Sequence, residues 1–325
     1  MRTAWLNIRM GLCVILLFAA IYALLVVIAT FVGAGTPIIY ALLAFVLVAI
    51  QFFIGPKIVE RTMRVRYVSE GEQPELHRMV SELAMKAGIP KPRVGISEIQ
   101  IPNAFAFGTS KKTARVCVTG RLMEMLSKDE LEAVLGHELS HIQHRDMVVI
   151  TALSVIPMIC YFIYISFFWS GIFGGGGRSK EGALPMMAIA LIAFVVYFIS
   201  NLIVLYASRV REYYADAGSA ELTKKPHALA SALYKMIHGS ARVNTDKVKK
   251  EMGSMRAFFA ADPITAREDL KDLRAADLNR DGKIDAYELK MFSGQAKASR
   301  ADRLMELFST HPTPVSRVKK LGEYL

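Results

Sequence analysis

The sequence predicts an α+β protein, mostly helical and integral to a membrane, with four transmembrane helices and a soluble part that carries a small β-sheet. Three observations predict it. The 325 residues are 53% hydrophobic with a mean hydropathy of +0.32, too apolar for an ordinary soluble domain. Four apolar runs, residues 10–32, 38–54, 148–173 and 184–207, are long enough to cross a bilayer. Between the second and third runs the pattern turns amphipathic and contains Gly136-His137-Glu138-Leu139-Ser140-His141, which reads as H-E-x-x-H, a zinc-protease signature, on a helix.

The first two runs are joined by residues 33–37, which carry no charge, and read as a transmembrane hairpin over residues 1–56. A signal peptide is the rival reading of the first run, with Arg2 and Arg9 as its basic region, but the run is too long and a second follows at once. Lys57, Arg61, Arg64 and Arg66 crowd the far end, so the positive-inside rule puts both flanks in the cytoplasm. Runs three and four, within residues 147–208, form a second hairpin around a glycine-rich loop that ends near Arg178, Lys180 and Glu181. A buried core hairpin is the alternative; length and lack of charge argue against it. The chain is therefore expected to be a multi-pass protein of the cell membrane, with its soluble part, residues 57–146 and 209–325, facing the cytoplasm.

The net charge of +11 arises from Lys and Arg grouped beside the apolar runs, where they set topology and meet anionic headgroups. No nucleic-acid motif accompanies them, so nucleic acid is excluded as a partner. Cys13, Cys117 and Cys160 are far apart and form no CxxC, which excludes a disulfide framework. Cys117 falls in a predicted strand and reads as a packed thiol rather than a nucleophile.

In the soluble part, Leu76, Val80, Leu83 and Ala84 mark an amphipathic helix ending near Gly88. Residues 93–99 and 114–118 read as short strands, with Asn103-Ala104-Phe105-Ala106-Phe107-Gly108 between them. The signature helix starts at a capping box, Ser127 with Glu130, and has an apolar face of Leu131, Val134, Leu135, Leu139 and Ile142. At about 100° per residue, His137 and His141 stand one turn apart on the other side, so both imidazoles can reach one ion. Glu138 falls beside them, placed to take a proton from water.

Catalytic zinc needs a third protein ligand and an open position. His144 is one candidate, one turn beyond His141, though three adjacent turns of one helix do not readily complete a tetrahedron. Glu212 is the better one: Glu212 and Asp216 share a helix face in Arg211-Glu212-Tyr213-Tyr214-Ala215-Asp216, so one carboxylate can bind metal while the other accepts a histidine N–H. Alone, E-x-x-x-D is usually a solvated face.

Taken together, Asn103–Gly108, Thr119-Gly120, residues 129–146, residues 209–216 and residues 308–317 resemble the M48 metallopeptidases, and among them the HtpX-type membrane proteases. The resemblance implies a gluzincin (zincin-like) catalytic domain, one zinc ion held by His137, His141 and Glu212, Glu138 as general base, and Asp216 as partner of a ligating histidine. It implies that Asn103, Ala104, Phe105 and Ala106 belong to an edge strand that pairs with substrate backbone. His311, in His311-Pro312, matches a family position that could donate to the tetrahedral intermediate; packing or capping is the alternative. The substrates implied are polypeptides, membrane proteins or proteins misfolded at the membrane. The M48 class that processes prenylated C-terminal tetrapeptides is similar at the site but has more spans. A catalytically silent membrane scaffold is a third reading, against which stands Glu138, a residue that metal binding alone does not need.

Residues 277–288 fit a calcium-binding EF-hand loop at every key position. Asp277, Asn279, Asp281 and Asp285 occupy positions 1, 3, 5 and 9, the Lys283 carbonyl position 7, Gly282 the turn, and Glu288 the bidentate end. The loop belongs to an insertion at about residues 264–300 that the protease pattern does not require. Such hands normally pair, and only one is present. A stabilising clamp, a dockerin-like surface and control of proteolysis are its possible uses.

Overall fold

The computed structural model describes residues 36–173, 180–242, 266–295 and 306–325, with scattered positions between residues 8 and 24. Its first long helix, α1, is Thr36–Thr62 with Pro56 inside it, followed by strand β1, Val65–Tyr67. Helix α2 is Pro74–Lys86, strands β2, β3 and β4 are Arg93–Ser97, Ala104–Phe107 and Arg115–Thr119, and a short helix α3 is Gly120–Met125. Helix α4, Lys128–His144, carries the signature. Then come α5, Asp146–Leu153; α6, Val155–Phe173; and α7, Lys180–Thr223. The remainder is helical: α8, Pro226–Ala241; α9, Ala266–Leu273; α10, Ala286–Gln295; and α11, Pro314–Leu321.

The chain divides into two compact units, Met1–Gly55 with Val148–Val210, and Pro56–Met147 with Arg211–Leu325. The first is built from the apolar runs. Two stretches among the described residues, Asp146–Ile172 and Leu184–Thr223, are long and apolar enough to cross a membrane. The predicted run at residues 38–54 lies in α1, whose Ile39, Leu42, Phe45 and Phe53 are exposed. Most of the run at residues 10–32 lies outside the described residues. The third run is interrupted at Ser154, whose hydroxyl donates to the Ile150 carbonyl, 2.8 Å away, a back-bond that bends helices.

The fourth apolar run ends at residue 207, where charge resumes, and the helix that carries it, α7, continues unbroken to Thr223, 44 residues in all. The change is one of solvent preference, not of backbone preference, because no proline interrupts residues 208–223.

The second unit holds a four-stranded mixed sheet in the order β1-β2-β4-β3. Strands β2 and β4 run parallel, and β1 and β3 pair antiparallel on the outside. Strand β1 was not anticipated; its three residues are hidden within a run of arginines. Helix α4 packs on β3, β4, α2 and α8 through the buried Leu131, Val134, Leu135, Leu139 and Ile142. Its start is fixed reciprocally: the Ser127 N–H donates to Glu130 Oε2 at 2.7 Å and the Glu130 N–H to Ser127 Oγ at 3.4 Å.

The opposite face of α4 is lined by small residues. A Cβ on Gly136 would stand 3.2 Å from Thr223 Cγ2, and one on Gly218 would stand 2.7 Å from Ser140 Cβ. The Ser219 hydroxyl donates to the Ala133 carbonyl across the same seam at 2.6 Å. The end of α7 thus approaches α4 more closely than a seam of larger side chains allows. Gly218→Ala is expected to destabilise the protein by about 1–3 kcal/mol through overpacking, although alanine favours helix. Thermal unfolding followed by circular dichroism checks this: Ser140→Gly should restore the Gly218→Ala midpoint, and an unchanged Gly218→Ala midpoint would contradict the seam.

Candidate metal centre

Spacing within two helices and the seam between them build the site. His137, Glu138 and His141 project from α4; Glu212 and Asp216 stand one turn apart near the end of α7. His137 Nε2 lies 3.6 Å from Glu212 Oε2 and 3.1 Å from His141 Nε2, and His141 Nε2 lies 3.4 Å from Glu212 Oε1. Among the described residues, His137, His141 and Glu212 form the one group of histidine, cysteine or acidic side chains whose ligand atoms converge within 4.8 Å. Zinc bonds of about 2.0–2.1 Å at tetrahedral angles need ligand atoms about 3.3 Å apart, so donor set and spacing both fit zinc.

The far side of each imidazole is also engaged. His137 Nδ1 is 3.0 Å from Asp216 Oδ1, and His141 Nδ1 is 2.6 Å from Asp146 Oδ2. A carboxylate accepts only, so each Nδ1 carries the proton and each Nε2 turns its lone pair to the common centre. Burial disfavours a charged His137, but Asp216 and Glu212 outweigh it and hold its pKa above the usual value. Burial likewise opposes a charged His141, and Glu212 and Glu138 reverse the balance. The acidic groups that attract a proton here also attract a dication. Glu138 is buried beside these groups.

Arg317 completes the cluster, and sequence reasoning did not single it out. It lies on α11, started by Thr313, whose hydroxyl accepts the Ser316 N–H, and by Pro314. Its guanidinium is buried and forks onto Asp216: Nε donates to Oδ2 at 3.0 Å and Nη2 to Oδ1 at 2.6 Å. Nη1 stands 3.4 Å from Glu212 Oε2. Burial opposes its charge, but Asp216 and Glu212 raise its pKa further above the ordinary arginine value. The available signal was its place six residues after His311, within a block noticed only as a resemblance.

His311 Nε2 lies 3.7 Å from Glu212 Oε1, and its Nδ1 is 3.0 Å from the Thr310 hydroxyl. A hydroxyl donated to Nδ1 leaves the proton on Nε2, facing the centre. Burial pulls its pKa below the ordinary value, against the opposing attraction of Glu212. His144 is not brought in. Its Nδ1 is 2.9 Å from the Ser140 carbonyl and its ring rests on Tyr214. Burial pushes the Cys117 thiol up to about 12, as befits a packed residue.

Asn103 and β3 border the same helix. The Asn103 N–H donates to Thr119 Oγ1 at 2.9 Å, and its carbonyl accepts the Thr119 N–H at 2.9 Å. Strand β3 is an outer strand of the sheet, hydrogen-bonded among the described residues to β4 alone. Ala104 and Phe105 are buried and Ala106 half-buried, so β3 can offer a partner chain its second backbone edge.

The 277–288 loop is compact. The Asp277 carboxylate accepts the Asp281 and Gly282 N–H groups, Asn279 Oδ1 accepts that of Asp281, and Asp281 Oδ1 that of Lys283. Glu288 accepts the N–H groups of Leu278, Asn279 and Asp285, and Asp285 Oδ1 accepts that of Glu288. Gly282, at φ +83°, makes the turn. In place of a second hand, the loop docks on α8. The Ile284 N–H donates to Ser231 Oγ at 3.2 Å, and Ser231 donates to Glu130 Oε1 at 2.7 Å. The loop is thereby two hydrogen bonds from the capping box of the signature helix.

Comparison with known proteins bears on the whole second unit and most of the first. The model of peptidase family M48 matches residues 70–325. The protease HtpX homolog of Methanothermobacter thermautotrophicus is 54% identical over 232 residues, 71% of this chain and 86% of that protein. The protease HtpX homolog of Moorella thermoacetica is 37% identical over 98% of this chain and 94% of its own length. The crystal structure of S. mikatae Ste24p shares the fold, with a TM-score of 0.53 and 17% identity over 99% of this chain and 67% of that one.

Proposed function

The chain belongs to peptidase family M48, and from that premise we propose that it is a membrane-embedded zinc endopeptidase that cleaves membrane or misfolded proteins at the cytoplasmic membrane face, in protein quality control. Membership makes it a membrane-associated metallopeptidase. The observation that carries the finer reading is the convergence of His137, His141 and Glu212 with Glu138 buried beside them.

In this reading His137, His141 and Glu212 hold the zinc. When bound, zinc polarises a carbonyl oxygen and lowers the pKa of water toward ~7. A substrate strand aligns against Asn103, Ala104, Phe105 and Ala106 through backbone hydrogen bonds, which makes cleavage tolerant of side-chain sequence. Glu138 takes the proton of the attacking water and delivers it to the leaving nitrogen. His311 Nε2–H donates to the carbonyl oxygen as negative charge builds there. Asp216 keeps the His137 proton on Nδ1.

Glu138→Gln is expected to retain zinc and the fold while cleavage of an unfolded membrane-protein substrate falls about 10²–10⁴-fold, because water loses its proton acceptor. Metal analysis beside a cleavage assay reads both, and near-normal cleavage sinks the mechanism.

The cytoplasmic placement rests on the basic flanks of the first hairpin. In a chain freed of its three native cysteines, an impermeant thiol reagent outside intact cells should label Gly175→Cys and spare Lys111→Cys. Labelling of Lys111→Cys reverses the orientation.

The same reading includes a calcium ion in the 277–288 loop, bound by Asp277, Asn279, Asp281, the Lys283 carbonyl, Asp285 and Glu288, and modulating activity through Ser231 and Glu130. Titration calorimetry on the zinc-loaded full-length protein should show a calcium heat that Glu288→Ala removes. An absent heat eliminates the calcium site, and a heat without any change in cleavage leaves a stabilising clamp.

A further inference from the structure

We infer that Asp146 and Arg211 are a positioning pair for His141, an inference that rests on the zinc reading of the site. The starting point is geometric. An uninterrupted α-helix carries residue i+5 about 140° around the axis and about 7.5 Å along it, so Asp146 on a continued α4 would turn away from His141. The chain avoids this at Arg145, which takes the left-handed conformation, φ 57° and ψ 40°, that residues with a Cβ rarely adopt. Its N–H still bonds the carbonyls at the end of α4. The turn brings Asp146 Oδ2 to 2.6 Å from His141 Nδ1.

Arg211 holds the other carboxylate oxygen, through an ion pair of Nη2 with Oδ1. The same Nη2 donates to the His144 carbonyl at 3.0 Å, and the guanidinium lies 5.2 Å from the Tyr214 ring centre. The Asp146 and Arg211 side chains are only 8% and 11% exposed, so each needs the other to be buried as an ion. A carboxylate fixed in this way accepts the His141 Nδ1–H and commits Nε2 to the metal. Arg211 is also bonded directly to Glu212, so one guanidinium ties the second ligand to the third.

His141 therefore has the arrangement that His137 has through Asp216 and Arg317: guanidinium, carboxylate, imidazole. The two differ in depth. The Arg317 and Asp216 side chains are at most 2% exposed, whereas His141 is 17% exposed. His141 is the more open ligand, and its partner pair governs how long metal is retained.

The test uses the full-length protein in detergent and the double variant Asp146→Asn/Arg211→Gln, which removes both charges and leaves neither unpaired. Zinc affinity by chelator competition should fall 10–100-fold, the range for loss of a partner behind a ligating histidine. The ¹⁵N signals of His141 in the loaded protein should lose the single Nδ1–H form. Arg211→Lys, which keeps the charge, covers the case in which the double variant does not fold; its affinity should stay within about threefold of wild type. Double-variant affinity within twofold of wild type with an unchanged His141 tautomer, or a tenfold loss in Arg211→Lys, overturns the inference. A wild-type protein that holds no zinc overturns the underlying reading instead, and the two failures are told apart by that control.

Discussion

A single buried guanidinium holds the candidate centre together. Arg317 sits among Asp216, Glu212 and His137 and pairs with both acids. Removing one partner of such a buried pair costs about 3–5 kcal/mol, because the other charge is left dry and unpaired. With the histidines counted as neutral, Glu138, Glu212 and Asp216 against Arg317 is formally three negative charges against one positive, leaving two among buried side chains. A divalent cation neutralises that surplus. Electrostatics and ligand spacing therefore ask for the same species.

Close helix packing makes this charge arrangement possible. Gly136, Ser140, Gly218 and Ser219 let α4 and the end of α7 approach without large side chains between them. The elements around the centre then fix its members at both ends. The capping box fixes the start of α4 on Glu130, which accepts from Ser231 and from Lys235 at 2.7 Å each. Burial alone would disfavour a charged Glu130, and Lys235, Ser231 and the Ser127 N–H outweigh it. The end of α4 is fixed by the left-handed Arg145 and by Arg211. Both ends of the signature helix are thus tied to α7 or α8, which limits how far His137 and His141 can drift apart.

What was legible in the sequence was local. H-E-x-x-H with its capping box lies within one helix, so periodicity placed His137, Glu138 and His141 on one face and marked the helix start. Glu212 and Asp216 were visible as an i, i+4 pair, but only the resemblance to a family tied them to the histidines. Asp146 and Arg317 were missed for different reasons. Asp146 reaches His141 only through a left-handed residue that composition does not announce. Arg317 meets Asp216 across 101 residues of chain, and nothing in an isolated arginine near a terminus indicates burial. That α7 runs on unbroken past its apolar run was not legible, because a change from apolar to charged residues marks a change of surroundings and not of backbone.

Zinc K-edge absorption on the purified full-length protein addresses the central claim most directly, that two imidazoles and one carboxylate of this chain hold the ion. The account predicts two imidazole nitrogens at about 2.0–2.1 Å and a carboxylate oxygen at about 2.0–2.2 Å. The spectrum should be unchanged in His144→Ala, and zinc occupancy should be lost in Glu212→Ala. A third imidazole in the coordination shell, or a Glu212→Ala protein that keeps its zinc, would contradict it.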